Sequence, residues 1–322
     1  MVSGVAAIQV GIIAATVVGL WVGARLLVDA VVRLARRLGL SDLTIGLTVV
    51  AAGTSMPELA VTADAAVNEL GDIAAGNIIG SNIYNLAFIL GVVSLIRIVP
   101  IERSLVHRDG VALIASTLVG AAVLFDLSLS RLEGAVLVGL FVVYTAYLLR
   151  TGADTASPDP DGQPAISTSL TESVQFRGRD AALLVAGIVV VLVSGDLLVG
   201  AASTLAQSAG ISDWIIGGTI VAAGTSTPEF AVSLVAIRRG RLGVSVGNVV
   251  GSNVFNMLAI LGVAGLIRPL DVDGAVLESL AWLTAVAVLM VAALWTGRQL
   301  SRPEGGLFAL SELVRWALGL LG

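Results

Sequence analysis

Apolar runs of helical length recur along the chain, separated by short polar or glycine-containing stretches. They fall at about 5–31, 43–68, 73–96, 109–126 and 132–149, and again at about 180–206, 214–237, 243–267, 276–296 and 306–321. A hydrocarbon core about 30 Å thick takes roughly 20 apolar helical residues to cross. The pattern therefore predicts ten membrane spans, five on each side of a polar segment. That segment, 151–179, holds Pro158, Pro160 and Pro164 among many Ser, Thr, Asp and Gly. It reads as a flexible linker, too short for a folded regulatory domain. The chain accordingly divides into a first five-helix repeat at 1–150, a cytoplasmic linker at 151–179 and a second repeat at 180–322. The first run is not read as a signal peptide: no basic stretch precedes it and its apolar run is too long. It is expected to be a permanent, tilted first span.

Composition agrees with this reading. Of 322 residues, 57% are hydrophobic and 13% charged, and the mean hydropathy is +0.98. Soluble domains of this length do not have that balance. The absence of cysteine excludes disulfides and thiolate metal sites. A single histidine, His107, argues against a His-ligated zinc or haem. The net charge of −5 gives no footprint for nucleic acid. No nucleophile–base constellation stands out, so the chain is not expected to be an enzyme. It is expected to need no cofactor and no obligate protein partner beyond the lipid bilayer.

All 18 basic residues are arginines. Most follow the odd-numbered spans, as Arg33, Arg36 and Arg37 do after the first and Arg238, Arg239 and Arg241 after the seventh. Loops after even spans hold only Arg131 and Arg268. The positive-inside rule then makes the odd loops and the linker cytoplasmic and both termini extracellular, in a multi-pass protein of the cell membrane.

The two halves repeat each other. Ser41–Arg97 aligns with Ser212–Arg268 at a constant offset of 171 residues, without gaps and with 29 identities in 57 positions. Each half holds an odd number of spans, so the second must enter the membrane from the opposite side. The expected fold class is an all-α integral membrane protein of ten transmembrane helices in two inverted five-helix repeats. Such repeats place substrate near the midplane, on broken helices at the repeat interface. The identities concentrate in spans 2, 3, 7 and 8, which are expected to form the core.

Those spans carry unusual chemistry. Gly53-Thr54-Ser55-Met56-Pro57-Glu58 recurs as Gly224-Thr225-Ser226-Thr227-Pro228-Glu229. A carboxylate in mid-span costs about 2.5–3.5 kcal/mol even on the lenient insertion scale. Two at matched positions point to a buried cation site. Pro57 leaves the Gly53 carbonyl without a helical partner and bends the helix, and the carbonyls of Ala51 and Thr54 are expected to splay inward. Carbonyl, hydroxyl and carboxylate oxygens then gather in a small volume, as Ca²⁺ and Na⁺ require. The next span holds Gly76-Asn77-Ile78-Ile79-Gly80-Ser81-Asn82-Ile83-Tyr84-Asn85, mirrored from Gly247 to Asn256. Ser81 and Asn85 share a helix face, either as ligands or as interhelical hydrogen-bonding groups. Gly76 and Gly80 permit close helix approach. Arg25 has two candidate partners, Asp29 one turn on and Asp196 at the 171 offset.

The paired GTSxPE and GNxxGSNxxN signatures resemble the two alpha repeats of the sodium/calcium exchanger family, within the cation/calcium antiporter superfamily, in its prokaryotic form without regulatory domains. The resemblance covers both repeats and the ten-span plan. It implies that Glu58 and Glu229 bind Ca²⁺ with the backbone carbonyls of Thr54 and Thr225. It implies that Ala51, Ser55 and Ser81, with Ala222, Ser226 and Ser252, help bind Na⁺, and that Asn85 and Asn256 complete the centre. Some relatives, including potassium-dependent members, carry aspartate where this chain has Asn256, so potassium dependence is not expected. The implied function is electrogenic Na⁺/Ca²⁺ antiport by alternating access, with spans 1 and 6 sliding past the core. A proton/calcium or other divalent exchanger built on the same glutamates is the alternative. A passive channel fits less well, since it needs a continuous pore.

Overall fold

The computed structural model describes residues 2–100, 105–151, 178–208, 222–297 and 299–321. Residues 152–177 of the expected linker and the start of the seventh apolar run, up to residue 221, lie outside the described residues, and the linker's ends at Thr151, Gly178 and Arg179 are helical. The chain is mostly helical. It opens with α1 (Val2–Leu38), which Gly39 ends in the left-handed conformation at φ +65°. Ser41 then caps the next helix by accepting the Thr44 N–H at 3.0 Å. That helix, α2 (Asp42–Thr54), is followed after one residue by α3 (Met56–Val67), bent 48° from it. Next come α4 (Gly71–Ile96), α5 (Val111–Val123) with a wide helical lead-in at Leu105–Gly110, and α6 (Arg131–Thr151). The second half holds α7 (Gly178–Ser208), the short α8 (Ala222–Thr225), α9 (Thr227–Arg238), α10 (Leu242–Ile267), α11 (Ala275–Gly297) and α12 (Arg302–Leu321).

By length and apolarity, six helices among the described residues can cross a membrane, or seven if α2 and α3 form one bent span. The remaining expected spans fall short for identifiable reasons. The run at 109–126 is helical, but α5 itself has 13 residues. The run at 214–237 begins outside the described residues. The last is the helix α12, which carries Arg302, Glu304, Glu312 and Arg315.

Local sequence explains the helix starts of α6 and α12. Ser130 and Glu133 form a capping box, in which Glu133 accepts from the Ser130 N–H at 2.8 Å and Ser130 accepts from the Glu133 N–H at 3.3 Å. Ser301 and Glu304 repeat the acceptance at 2.9 Å. Two short antiparallel ribbons tie the halves together: Val99–Pro100 (β1) with Gln299–Leu300 (β4), and Ser128–Leu129 (β2) with Leu270–Asp271 (β3). The 171-residue offset maps β1 onto β3 and β2 onto β4, so each ribbon is the other's counterpart.

Of the six long apolar helices, α4 and α10 lie deepest, with 72% and 78% of their most apolar windows buried. Their apolar residues join those of α5, α6 and α11 in one large core. α1 and α7 form the most extensive helix pair of the molecule and pack with α9 in a second, smaller core. The two helices cross at glycines: a Cβ on Gly187 would fall 2.7 Å from the Leu27 nitrogen, and one on Gly23 would fall 2.9 Å from Val190.

Candidate cation site

The repeated motif breaks its helix as the proline requires. α2 ends at Thr54, Ser55 leaves the helical region at φ −84° and ψ 18°, and α3 restarts with Pro57 in its first turn. Ser226 does the same at φ −88° and ψ 8° between α8 and α9. Glu58 and Glu229 therefore sit in the first turns of α3 and α9, where unpaired N–H groups and the helix dipole favour negative charge. The Ala51 carbonyl does not splay free as expected. The Ser55 N–H holds it at 3.1 Å and the Thr54 hydroxyl lies 3.3 Å from it. The bend opens one residue later, so the turn around Ala51 stays closed.

The two breaks meet across the repeat interface. Ser55 donates to Glu229 Oε1 at 2.7 Å, and Ser226 donates to Glu58 Oε1 at 3.0 Å. Each half's serine thus holds the other half's carboxylate. Ser252 adds a longer bond to Glu229 Oε1 at 3.3 Å. Glu58, Glu229, Ser55, Ser226 and Ser252 are all fully buried. The second oxygen of each carboxylate, Oε2, is buried and has no hydrogen-bond partner among the described residues. Buried carboxylate oxygens left so are costly, and a bound cation would satisfy them. Among the described residues no three His, Asp or Glu side chains converge. A cation here would meet two carboxylates and neutral oxygens, a set that suits hard ions.

Around this centre the expected residues are placed as follows. Ser81 Oγ and Thr225 Oγ1 lie 3.5 Å apart, joining α4 to α8. The Thr54 hydroxyl donates across the interface to Asn248 Oδ1 at 3.0 Å. Asn85 and Asn256 are fully buried, and each lies in a stretch of i→i+5 hydrogen bonding, Tyr84–Ile89 and Phe255–Ile260. Such widened turns inside helices recur at functional sites. Both polar atoms of Asn85, and Oδ1 of Asn256, have no hydrogen-bond partner among the described residues. Ala222 opens α8, and its side chain lies outside the described set.

Three further asparagines of these signatures, Asn77, Asn82 and Asn248, organise the site. Asn77 donates to the Glu58 carbonyl at 3.2 Å and to the Thr62 hydroxyl at 3.0 Å. Asn248 repeats this with the Glu229 carbonyl at 3.2 Å and Ser233 at 3.1 Å. Each amide pins a glutamate-bearing turn to the neighbouring helix. Asn82 donates to the Asn253 carbonyl at 3.2 Å and accepts from Asn256 at 3.0 Å, linking α4 to α10. The available signal was their duplication at the same offset as the glutamates.

Two other expectations change. Arg25 bridges neither Asp29 nor Asp196; it lies over the Trp21 ring, 5.3 Å from its centroid. Asp29 pairs with Arg239 instead. The close approach expected of the α4 glycines is observed at their counterparts. A Cβ on Gly247 or Gly251 would fall 2.6 Å from the Leu43 or Leu47 carbonyl, so α10 lies backbone to backbone on α2. Gly76 and Gly80 have nothing within 4 Å among the described residues. Their counterpart contacts would fall before residue 222, outside that set.

Comparison with known proteins gives a consistent picture. Residues 8–150 and 180–311 match the sodium/calcium exchanger protein family. The chain is 38% identical over 276 residues to the putative antiporter CaxA of Alkalimonas amylolytica, covering 84% of this chain and 86% of that one. It is 30% identical over 304 residues to the sodium/calcium exchanger MaX1 of Methanosarcina acetivorans, covering 84% and 87%. Its fold matches a structure of the sodium-calcium exchanger NCX_Mj soaked with zero Na⁺ and Ca²⁺, with TM-score 0.82 and 30% identity over 98% of this chain and 99% of that one. With both halves matched and the paired motifs meeting across their interface, the chain belongs to the sodium/calcium exchanger family.

Proposed function

We propose that this protein is a multi-pass membrane antiporter that exchanges Na⁺ for Ca²⁺ by alternating access. One observation carries the reading: two fully buried glutamates from opposite halves, each held by the other half's serine through one oxygen, with the second oxygen unpartnered among the described residues. Glu58 and Glu229 neutralise one Ca²⁺, with the Thr54 and Thr225 carbonyls as further ligands. The same oxygens, redistributed with Ala51, Ser55 and Ser81 and with Ala222, Ser226 and Ser252, hold Na⁺ instead. Asn85 and Asn256 close the shell without adding charge. Competition for shared ligands couples the ions, because an unloaded centre leaves two desolvated carboxylates and crosses poorly.

On this reading the chain has ten transmembrane helices in two inverted five-helix repeats, with the linker cytoplasmic and both termini extracellular. The symmetric ribbons and the arginine distribution support that arrangement. α1 and α7 slide past the core helices, and replacing one Ca²⁺ by three Na⁺ moves one net charge.

The test is uptake of radioactive Ca²⁺ into proteoliposomes under imposed Na⁺, K⁺ or H⁺ gradients. A Na⁺ gradient at fixed pH is expected to drive Ca²⁺ in the opposite direction and to generate a membrane potential. Ca²⁺ movement that follows a pH gradient and ignores Na⁺ would replace this reading with proton/calcium exchange.

A further inference from the structure

Away from the carboxylate centre, a cavity of about 360 Å³ opens between the end of α1 and the turn joining α9 to α10. Asp29, Arg33 and Arg36 line it from α1, and Arg239 and Arg241 line it from the turn. The turn is built to hold its arginines in place. Gly240 adopts φ +73°, and the Arg241 N–H closes back on the Ala236 carbonyl at 2.9 Å. On α1, residues 29, 33 and 36 follow helical spacing and share one face.

The arginines exceed their acidic partners. Arg239 pairs with Asp29, Arg33 with Asp180 at 2.7 Å, and Arg241 with Asp42 at 3.5 Å. Arg36 is exposed and has no ion pair among the described residues. Four guanidiniums thus meet three carboxylates. Among the described residues Arg33 donates through Nε alone, and Arg239 and Arg241 each through NH1 alone. A guanidinium offers five N–H donors in a planar fork suited to phosphate oxygens, so most of the donors around this cavity remain available.

The other half supplies an internal control. At the 171-residue offset, Arg33, Arg36, Arg239 and Arg241 correspond to Thr204, Gln207, Asn68 and Leu70. The counterpart turn keeps its shape, with Glu69 at φ 63° where Gly240 stands. The fold therefore makes this turn without arginines. A topology signal accounts for arginines in the loops after spans 1 and 7. It does not require chain segments about 200 residues apart to converge on one cavity.

We propose that this cavity binds the phosphate headgroup of an anionic membrane lipid and thereby bridges α1 to the core. Position selects lipid over a soluble phosphate: the apolar run of α1 ends at about residue 31, which places Arg33 and Arg36 where the hydrocarbon region gives way to headgroups. The site joins α1 to the element that carries Glu229, so occupancy would favour the arrangement in which α1 is docked on α9.

The test uses the full-length protein in detergent and reads thermal unfolding with added phosphatidylglycerol, phosphatidylcholine or inorganic phosphate. Phosphatidylglycerol is expected to raise the midpoint, phosphatidylcholine and phosphate to leave it unchanged. R36Q/R241Q is expected to weaken the phosphatidylglycerol effect about tenfold in the lipid concentration needed. R131Q/R302Q, an equal charge change at exposed positions elsewhere, is expected to keep it. Equal loss in both double variants would mean a general surface attraction and overturn the site. Protection by phosphate alone would overturn the lipid assignment, and no protection of the unmodified protein would overturn both. The readout is binding, so it stands apart from the identity of the exchanged ions.

Discussion

Of the six long apolar helices, α4 and α10 are the most buried, yet α1 and α7 are the more apolar. Mean hydropathy over the best windows is 1.8 and 1.8 for α4 and α10, against 2.0 and 2.6 for α1 and α7. The buried shares run the other way, 72% and 78% against 28% and 22%. In water this order would be reversed. In a bilayer the lipid accepts apolar side chains as readily as the protein does, so hydropathy does not drive a helix inward. Small and polar residues take the interior instead, because they let backbones touch and need partners there. The interior pair is accordingly dense in Gly, Ser and Asn, and it packs against α3 and α9, which carry the two glutamates.

The largest effect that would test this division is at the carboxylates. Glu58→Gln or Glu229→Gln is expected to lower Ca²⁺ exchange by more than about 100-fold, since breaking a buried charge site costs about 3–5 kcal/mol. Near-normal exchange in both variants, measured as radioactive Ca²⁺ flux, would remove the cation site from the meeting point of α3 and α9.

The crossed hydrogen bonds give a finer test. Ser55→Ala and Ser226→Ala each remove a bond to a charged oxygen, worth about 1.5–3 kcal/mol. Both are expected to weaken apparent Ca²⁺ affinity about tenfold or more, and to similar extents, because the two bonds mirror each other. Loss in one variant alone would show that the halves do not share the load.

Packing should separate the two regions next. Gly247→Ala drives a Cβ against the Leu43 carbonyl, and overpacking of this kind costs about 1–3 kcal/mol. Gly200→Ala on α7 meets nothing within 4 Å among the described residues and is expected to stay within about 0.5 kcal/mol. Thermal unfolding in detergent reads both, and equal destabilisation would erase the contrast. The smallest effect is expected from shortening 153–172, a polar stretch that carries none of the site residues. Exchange should persist, and loss of transport in correctly inserted protein would give the linker a role.

The glutamate pair was legible in advance because a carboxylate beside proline in an apolar run is expensive and its duplication removes coincidence. Asn77 and Asn248 were visible in the same repeats but carried no role. Their task is to hold carbonyls on a neighbouring helix, and that contact spans 19 residues of chain. The ion pairing of Arg25 failed as an expectation because spacing along one helix ignores competitors from other helices. Arg239 reaches Asp29 across 210 residues.

Sequence alone determined the membrane class, the internal repeat and the points at which helices break. These follow from properties local to the chain: the length of an apolar run, the missing N–H of proline, the offset between matching residues. Tertiary structure decided which serine holds which glutamate, which apolar helices stay largely exposed, and which arginines converge on a cavity. Those depend on how separate helices rotate and cross. Hydropathy is nearly indifferent to that choice inside a bilayer, so it was settled by glycine contacts and by the partners available to buried polar atoms.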